Sequence, residues 1–238
     1  MKTLQTPAYV GDSKLSYGFF DDLEWLVTVH RWTTLVADAG TSFSLQAADG
    51  GRAALGTAAT DNNEAAFFLS NEIFRFRDDG PLLYEARIQF TEANTDDANV
   101  ACGFSSEFAA NLLQDNGAGP AATQSCAMLY KVDGETVWRF VTSLSTTQTI
   151  TQSTTTAGGA SFQTLSIEVN AISSTQVECV PKVNGVQLLQ NASGTLVPIK
   201  HLITYASAAQ MGVGSYVKAG GGTAETLVTD YVSAWQKR

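Results

Sequence analysis

The sequence predicts an all-β protein, an antiparallel two-layered β-sandwich with few short helices. Apolar and polar residues alternate in several segments, which is the pattern of strands with one buried face. One Asp-Gly and one Asn-Gly dipeptide separate strand-like runs, as in β-hairpins. The 238 residues suit one large all-β domain, which at this size can bury a core without disulfide bonds.

We predict that residues 33–238 form this single sandwich domain, and that residues 1–32 form an N-terminal arm that is partly packed on it. The arm concentrates aromatic residues in a short span. They have two interpretations: a cap on the end of the sandwich core, or an anchor that docks on a neighbouring subunit. The candidate interaction residues are Tyr17, Phe19, Phe20, Trp25 and Trp32.

Two internal segments have the clearest strand pattern. In "LSIEVNAI", Leu165, Ile167 and Val169 alternate with polar residues. The segment "PLLYEARIQF" does the same after Pro81, so each segment predicts a strand with one face in the core. The apolar face of the second segment consists of Leu82, Tyr84, Ala86, Ile88 and Phe90.

Two hairpins are predicted from their turn dipeptides. Asp133–Gly134 and Asn184–Gly185 each lie between strand-like runs, and both dipeptides tolerate the positive φ angles of a type I′ turn. A two-residue loop at the first turn would place Leu129 opposite Trp138. The same geometry at the second turn would place Val183 opposite Val186.

The last segment, "AETLVTDYVSAWQKR", also has the pattern of a strand. Strict alternation puts Val228 and Val232 on one face and Leu227, Tyr231 and Trp235 on the other. A strand with apolar groups on both faces is covered on both sides or lies inside a sheet. We therefore expect this strand to close the sandwich and to pair with an early strand.

Two further segments are less regular. "SSEFAANLLQDNG" is the best helix candidate: Ser105 or Ser106 would cap it, Leu112 and Leu113 would pack, and Gly117 would end it. The Thr-rich segment "SLSTTQTITQSTTTAGGAS" has two interpretations, a strand followed by an exposed turn, or a flexible loop.

The composition restricts the classes of partner. The net charge is −9, from 23 acidic and 14 basic residues, and basic residues do not cluster. Such a chain repels phosphate, so we expect it to bind neither nucleic acid nor an anionic membrane. The three cysteines, Cys102, Cys126 and Cys179, have no metal-ligand spacing, so we expect them to be small buried side chains in a reducing compartment.

The residues offer little for catalysis, and we predict that the protein is not an enzyme and has no catalytic residues. The histidines are only two, His30 and His201, and neither belongs to a metal-spaced cluster. We predict no cofactor and no metal. The segments "TDNNEA" and "TEANTDDAN" have oxygen ligands that calcium could use, but neither has the EF-hand spacing, so solvated turns are the interpretation we prefer. Their candidate ligands are Asp61, Asn62, Asn63, Glu64, Glu92, Asp96, Asp97 and Asn99.

Several phrases resemble those of known proteins. The order "LSIEVN", "PKVNGVQL", a glycine-containing strand and "LVTDYVSAWQKR" resembles the second half of a concanavalin-like jelly-roll sandwich. "GFFDDLEWLVTVHRWTTLVADAG", "NNEAAFFLSNEIFRFRDDGPLLYEARIQF" and the ending "TDYVSAWQKR" resemble a group of tailed-bacteriophage virion proteins. Glycosidases with a concanavalin-like fold typically have paired carboxylates in an E-x-D-x-E run, which this sequence lacks.

The phage resemblance implies a capsid decoration (cement) protein that binds the outer surface of the head and stabilises the shell. Its partners would be the major capsid protein and further copies of itself, as a homodimer or homotrimer. It would be assembled in the host cytoplasm and located on the capsid exterior of the virion.

The alternative is a carbohydrate-binding module of a phage fibre or adhesin, with a glycan as partner. Sugar sites stack aromatic side chains on a sugar ring and surround them with Asp and Asn. The candidates for such a site are Trp138 and the segments 61–64 and 94–99.

Overall fold

The fold is that of a computed structural model, which describes residues 16–24, 31–36, 38–77, 80–92, 97–205 and 209–238. Every regular element in these ranges is a β-strand, so the few short helices that we expected do not occur there. Accordingly, the described ranges contain no helix able to span a membrane. The all-β prediction is confirmed.

Twenty strands follow one another in the described ranges. They are β1 Ser16–Asp21, β2 Trp32–Leu35, β3 Ser42–Gln46, β4 Arg52–Gly56, β5 Glu64–Leu69, β6 Leu82–Thr91, β7 Ala98–Ser105, β8 Leu113–Gln114, β9 Gly119–Pro120, β10 Cys126–Lys131, β11 Val137–Leu144, β12 Thr147–Thr156, β13 Gln163–Ser173, β14 Gln176–Val183, β15 Val186–Gln187, β16 Leu189–Ala192, β17 Thr195–Pro198, β18 His201–Thr204, β19 Gly212–Ala219 and β20 Thr226–Lys237.

The strands form two large antiparallel sheets. The first sheet has the order β15-β14-β13-β6-β20-β4-β3, with β1 also paired to β20 and β18 also paired to β14. The second sheet has the order β12-β11-β10-β7-β19-β5-β2. The pairs β8–β9 and β16–β17 form two small separate hairpins.

The hydrophobic core lies between the two large sheets and is rich in aromatic side chains. Trp32 and Trp138 are fully buried there, in β2 and β11. Tyr84 of the first sheet meets Phe104 of the second edge to face, with ring centroids 5.6 Å apart. Apolar burial of this kind is worth about 25 cal/mol per Å² and holds the two layers together.

Both alternating segments form the strands that we predicted. In β6, the apolar face that runs from Leu82 to Phe90 is buried throughout. The residues that alternate with it belong to the opposite face and are only partly buried. In β13, Leu165, Ile167 and Val169 point into the core. The Thr-rich segment forms strand β12, which agrees with the first of its two interpretations.

The two hairpins differ in their agreement with prediction. Val183 pairs with Val186, and Asn184 and Gly185 have φ angles of 52° and 76°, as a type I′ turn requires. The other hairpin exists, but its register is shifted by two residues.

In that hairpin Leu129 pairs with Phe140 and not with Trp138. Asp133 does not adopt a positive φ, and only Gly134 does, at 78°. The turn is therefore not type I′, and it is closed by a hydrogen bond from Glu135 N to Val132 O over 3.2 Å. The longer loop shifts the pairing by two residues. Because two is an even number, the same side chains still face the core.

The terminal strand β20 lies in the middle of the first sheet, as we predicted. It pairs with β6 on one side and with β4 and the early strand β1 on the other. The predicted facing is wrong, because the register shifts between Thr229 and Tyr231. This bulge at Asp230 puts Leu227 and Val232 on the same, buried side.

The predicted helix within residues 105–117 does not form. Asn111 has a φ of 60°, which a right-handed helix does not allow. Its backbone N–H donates to the Glu64 carboxylate, 2.8 Å away on a distant strand, so a long-range contact replaces local helix formation. The segment instead lies against the outer face of the second sheet, where Leu112 and Leu113 pack on Met128 and Tyr130.

The described part of the predicted arm is built into both sheets. Residues 16–21 form β1 and pair with residues 232–237 of β20. Trp32, the last residue of the predicted arm, begins β2 and pairs with Leu69 at the edge of the second sheet.

Candidate functional site

A polar pocket lies where four neighbouring strands of the second sheet end. Strands β10, β7, β19 and β5 are adjacent in that sheet, and the segments at one end of them converge. The turn Asp115–Asn116 of the β8–β9 hairpin completes the wall. We call this the polar pocket, and its lining residues are Asp61, Asn62, Asn99, Gln114, Asp115, Asn116, Asp133 and Gly220.

Backbone hydrogen bonds fix the segments around the polar pocket. Asn62 N donates to Ala219 O over 2.9 Å, and Gly220 N donates to Asp97 O over 2.8 Å. Asp133 N donates to the Asn99 side-chain oxygen over 2.9 Å. The pocket geometry is thus set by main-chain atoms and one amide side chain, and it does not depend on a ligand.

Gly220 is required by close packing. A Cβ atom at this position would lie 2.4 Å from Asp97 O and 2.6 Å from Asp133 Cβ. Such distances are well inside van der Waals contact, so a larger residue would push these two segments apart. The glycine brings Asp97 and Asp133 close together.

Several carboxylates lie in and beside the polar pocket. The pKa of Asp133 is raised, first by burial and then by the nearby Asp97 carboxylate, while Lys131 opposes the shift and Asp61 adds to it. Like charges held together disfavour ionisation. A ligand that donates hydrogen bonds to these carboxylates would relieve that repulsion.

The loop that supplies Asp115 is held by a buried ammonium group. Lys218 of β19 donates to Asn111 Oδ1 and to Leu113 O, each over 3.1 Å, and its Nζ forms an ion pair with Asp115. The residue is only 1% exposed. The buried Lys218 therefore contacts three residues of the loop and fixes the wall of the polar pocket that the loop forms.

A second buried contact holds the same loop. The Glu64 carboxylate accepts the Asn111 backbone N–H over 2.8 Å and the hydroxyl of Tyr216. Burial, and secondarily the Glu64 charge, raise the pKa of Tyr216, so this hydroxyl stays a donor. Together with Lys218, this contact presses the loop against the outer face of the second sheet.

The size of the polar pocket limits what enters it. Its volume is about 40 Å³, and on the same measure a cavity needs about 10–15 Å³ to hold one water molecule. A hydroxyl group or a few water molecules therefore fit in it. Among the residues that the structure describes, no three His, Cys, Asp or Glu side chains are grouped so that they could hold a metal ion.

The structure places the predicted interaction residues in different environments. Phe19 and Trp32 are buried and pack edge to face, with ring centroids 5.6 Å apart. Tyr17 is partly buried and stacks on Phe74. Phe20 is 51% exposed. Trp25 lies outside the described residues.

The alternative set of candidates is brought together in part. Asp61, Asn62 and Asn99 line the polar pocket, and Asp97 lies next to it. Trp138 does not take part, because its ring is fully buried in the core. Residues 94–96 lie outside the described residues.

The sequence did not predict that Asp115, Asn116 and Asp133 would line this pocket. The sequence pattern indicates only a turn at Asp133 and only a helix over residues 105–117. The signal that was present is the sequence "QDNG" at 114–117, which is rich in turn-forming residues and better suited to a loop than to a helix end.

In the part of the chain that the structure describes, the outer face of β7 and β10 carries no acidic side chain. Within the described residues, Ala101 and Gly103 lie on this face in β7, and Cys126, Met128 and Tyr130 in β10. All three cysteines are free and buried, and burial raises the pKa of Cys102 and Cys126 to about 12. These thiols are therefore protonated and poorly nucleophilic.

No protein-family model and no curated protein sequence matches the chain. Solved structures do match it in fold. The carbohydrate recognition domain of Emp47p is 11% identical, with a TM-score of 0.58, and the match covers 94% of this chain and 97% of that one. An endo-1,3-beta-glucanase from Streptomyces sioyaensis is 13% identical, with a TM-score of 0.58 and coverages of 92% and 96%.

An endo-beta-1,4-glucuronan lyase from the fungus Trichoderma reesei is similar to the same extent. It is 10% identical, with a TM-score of 0.55, and the match covers 91% of this chain and 94% of that one. The chain therefore folds as a concanavalin-like jelly-roll β-sandwich, in agreement with the fold that the sequence predicted. At these identities the comparisons concern the fold alone.

Proposed function

We propose that the protein is a carbohydrate-recognition domain whose polar pocket receives a hydroxyl group of a sugar. The single observation that carries this proposal is the convergence of carboxylate and amide groups from four separate segments in one small cavity. Recognition domains and polysaccharide-acting enzymes of similar fold support the ligand class.

The chemistry of binding follows from the acceptors. Asp61 and Asp133 would accept hydrogen bonds from sugar hydroxyls, and these bonds are stronger than neutral ones because the acceptors are charged. Asn62 and Asn116 add amide groups that both donate and accept. Since the cavity is small, specificity would depend on the orientation, relative to the sugar ring, of the hydroxyl group that enters it.

The experiment is a glycan array followed by calorimetry with the sugar that binds best. We expect Asp61→Ala to weaken binding about tenfold or more, because a hydrogen bond to a charged group contributes about 1.5–3 kcal/mol. Asp49→Ala is the matched control, since Asp49 is an exposed acid in a turn remote from the pocket. Absence of binding to every glycan on the array, or equal weakening by both variants, would refute the proposal.

The decoration role on a phage head stays a prediction. None of the three similar structures described above is a virion protein by its description. The absence of enzymatic activity also stays a prediction, since two of these three are polysaccharide-acting enzymes.

A further inference from the structure

Three aromatic side chains form a ridge on the outer face of the first sheet, which faces away from the core. Tyr231 and Trp235 lie on β20, and Phe20 lies on the neighbouring strand β1, opposite Ser233. Phe20 contacts Tyr231 with ring centroids 5.4 Å apart. We call Phe20, Tyr231 and Trp235 the aromatic ridge.

Two of the three rings of the aromatic ridge, Tyr231 and Trp235, are held in place by neighbouring groups. The hydroxyl of Tyr231 donates to Glu85 Oε1 over 2.7 Å, and the indole N–H of Trp235 donates to Ser233 Oγ over 3.0 Å. The Trp235 ring covers Gly18, where a Cβ atom would lie 2.8 Å from Trp235 Cε3. Rings fixed in this way lose little conformational entropy when a ligand binds.

The flank of the ridge is polar and internally paired. Glu85 and Arg87 of β6 lie directly opposite Ser233 and Tyr231. Arg87 also contacts Asp230 and lies 4.2 Å from the centre of the Phe162 ring. Arg87 is thus paired with Asp230, and Glu85 accepts the Tyr231 hydroxyl, so this flank presents polar groups that hydroxyl groups of a ligand could reach.

We propose that the aromatic ridge binds an extended chain of neutral pyranose sugars, at a second site that does not depend on the polar pocket. The apolar C–H face of a sugar ring stacks on an aromatic face, and the ring hydroxyls can reach Glu85 and Arg87 beside it. Tyr231 and Trp235 are four residues apart on one strand, roughly 13 Å, so the ridge spans more than one sugar and suits a polymer.

The shape of the ridge favours a polysaccharide over a second copy of the chain. A stable protein interface buries about 800 Å² on each partner, with charged residues depleted in its centre. The ridge is only two strands wide, about 5 Å between strands, and charged groups lie directly beside it. A protein partner would have to bury those charges, while a polysaccharide would leave them in water.

The experiment is affinity electrophoresis in gels that contain hydroxyethyl cellulose, laminarin or galactomannan. We expect at least one of these neutral polysaccharides to retard the protein. Phe20→Ala should lower the association constant about tenfold, since one stacking ring is lost. Phe20→Tyr, which keeps a ring, should retain binding. Ile172→Ala is the matched control, because Ile172 is 53% exposed and lies on the same sheet away from the ridge.

Two further measurements separate this proposal from the others. Asp61→Ala should leave retardation unchanged. If it abolishes retardation while Phe20→Ala does not, the polysaccharide binds in the polar pocket and the ridge proposal is wrong. The ridge proposal also fails if none of the three polysaccharides retards the protein, or if Phe20→Ala only changes the oligomeric state measured by light scattering.

Discussion

His201 is a buried residue whose two ring nitrogens are both occupied by threonine hydroxyls. Nδ1 lies 3.0 Å from Thr142 Oγ1 and Nε2 lies 2.9 Å from Thr151 Oγ1. The ring packs tilted against Phe140, with centroids 4.7 Å apart. Burial lowers the pKa of His201 to about 4, so the folded protein holds it neutral at neutral pH.

The buried neutral His201 predicts an acid-labile fold. The folded pKa of His201 is about 4, below its unfolded value of 6.5. The contribution of His201 to the free energy of unfolding is therefore fully present above pH ~6.5 and is lost as the pH falls toward 4. The loss amounts to about 3 kcal/mol. Denaturant unfolding across this pH range would measure it, and His201→Gln should remove this part of the slope. A variant with the same pH dependence as the wild type would contradict the assignment.

Lys218 is the residue on which the loop over the second sheet most depends. Lys218→Met should lower the free energy of unfolding by about 2 kcal/mol, because Leu113 O and Asn111 Oδ1 lose their partner in a buried place. Lys182→Met is the matched control, since its pair with Glu168 is half exposed and should cost less than about 1 kcal/mol. Equal losses in urea unfolding would show that the loop does not depend on Lys218.

At the scale of the elements, β20 shows both the strength and the limit of reasoning from pattern. Its apolar content on both faces predicted a place inside a sheet, and that place is confirmed. The bulge at Asp230 was not visible in the pattern, because it depends on tertiary contacts: the Asp230 carboxylate accepts hydrogen bonds from Arg52 and Arg87 on two other strands. One inserted residue then reversed the facing of half the strand.

The pairing of β1 with β20 requires a glycine at position 18. Its φ of 155° is rare for other residues, and a Cβ atom would lie 2.1 Å from Ala234 O. Gly18→Ala should therefore lower the free energy of unfolding by about 3 kcal/mol. Hydrogen exchange should show lost protection of those amides in 232–237 that donate to β1, while those that donate to β6 stay protected. Gly222→Ala is the control, since no atom lies within 4 Å of its Cβ position, and it should be near neutral.

At the scale of the whole molecule, the candidate site was harder to predict than the fold. Strands can be predicted from the alternation of apolar and polar residues, which is a property of each segment alone. The polar pocket instead depends on which strands lie side by side in the sheet. Asp61, Asn99 and Asp133 meet only because the corresponding ends of β5, β7 and β10 lie at the same end of the second sheet. Such long-range order is not encoded in any single segment.

Deletion of residues 1–32 would test whether they form a separable arm. The deletion removes β1 and the fully buried Trp32, so we expect the protein to lose its cooperative unfolding transition as well as any binding activity. In the intact chain, Trp32→Ala alone should cost about 3–5 kcal/mol. A deleted form that keeps a sharp thermal transition would show that residues 1–32 are a dispensable arm.

The place of β20 in the middle of its sheet has a consequence for biosynthesis. The strand comes last in the domain, yet β6, β4 and β1 all pair with it. While the ribosome is still making residues 226–237, these earlier strands have open edges toward a missing neighbour. We therefore expect the nascent domain to expose strand edges that other chains could pair with until translation has passed this point.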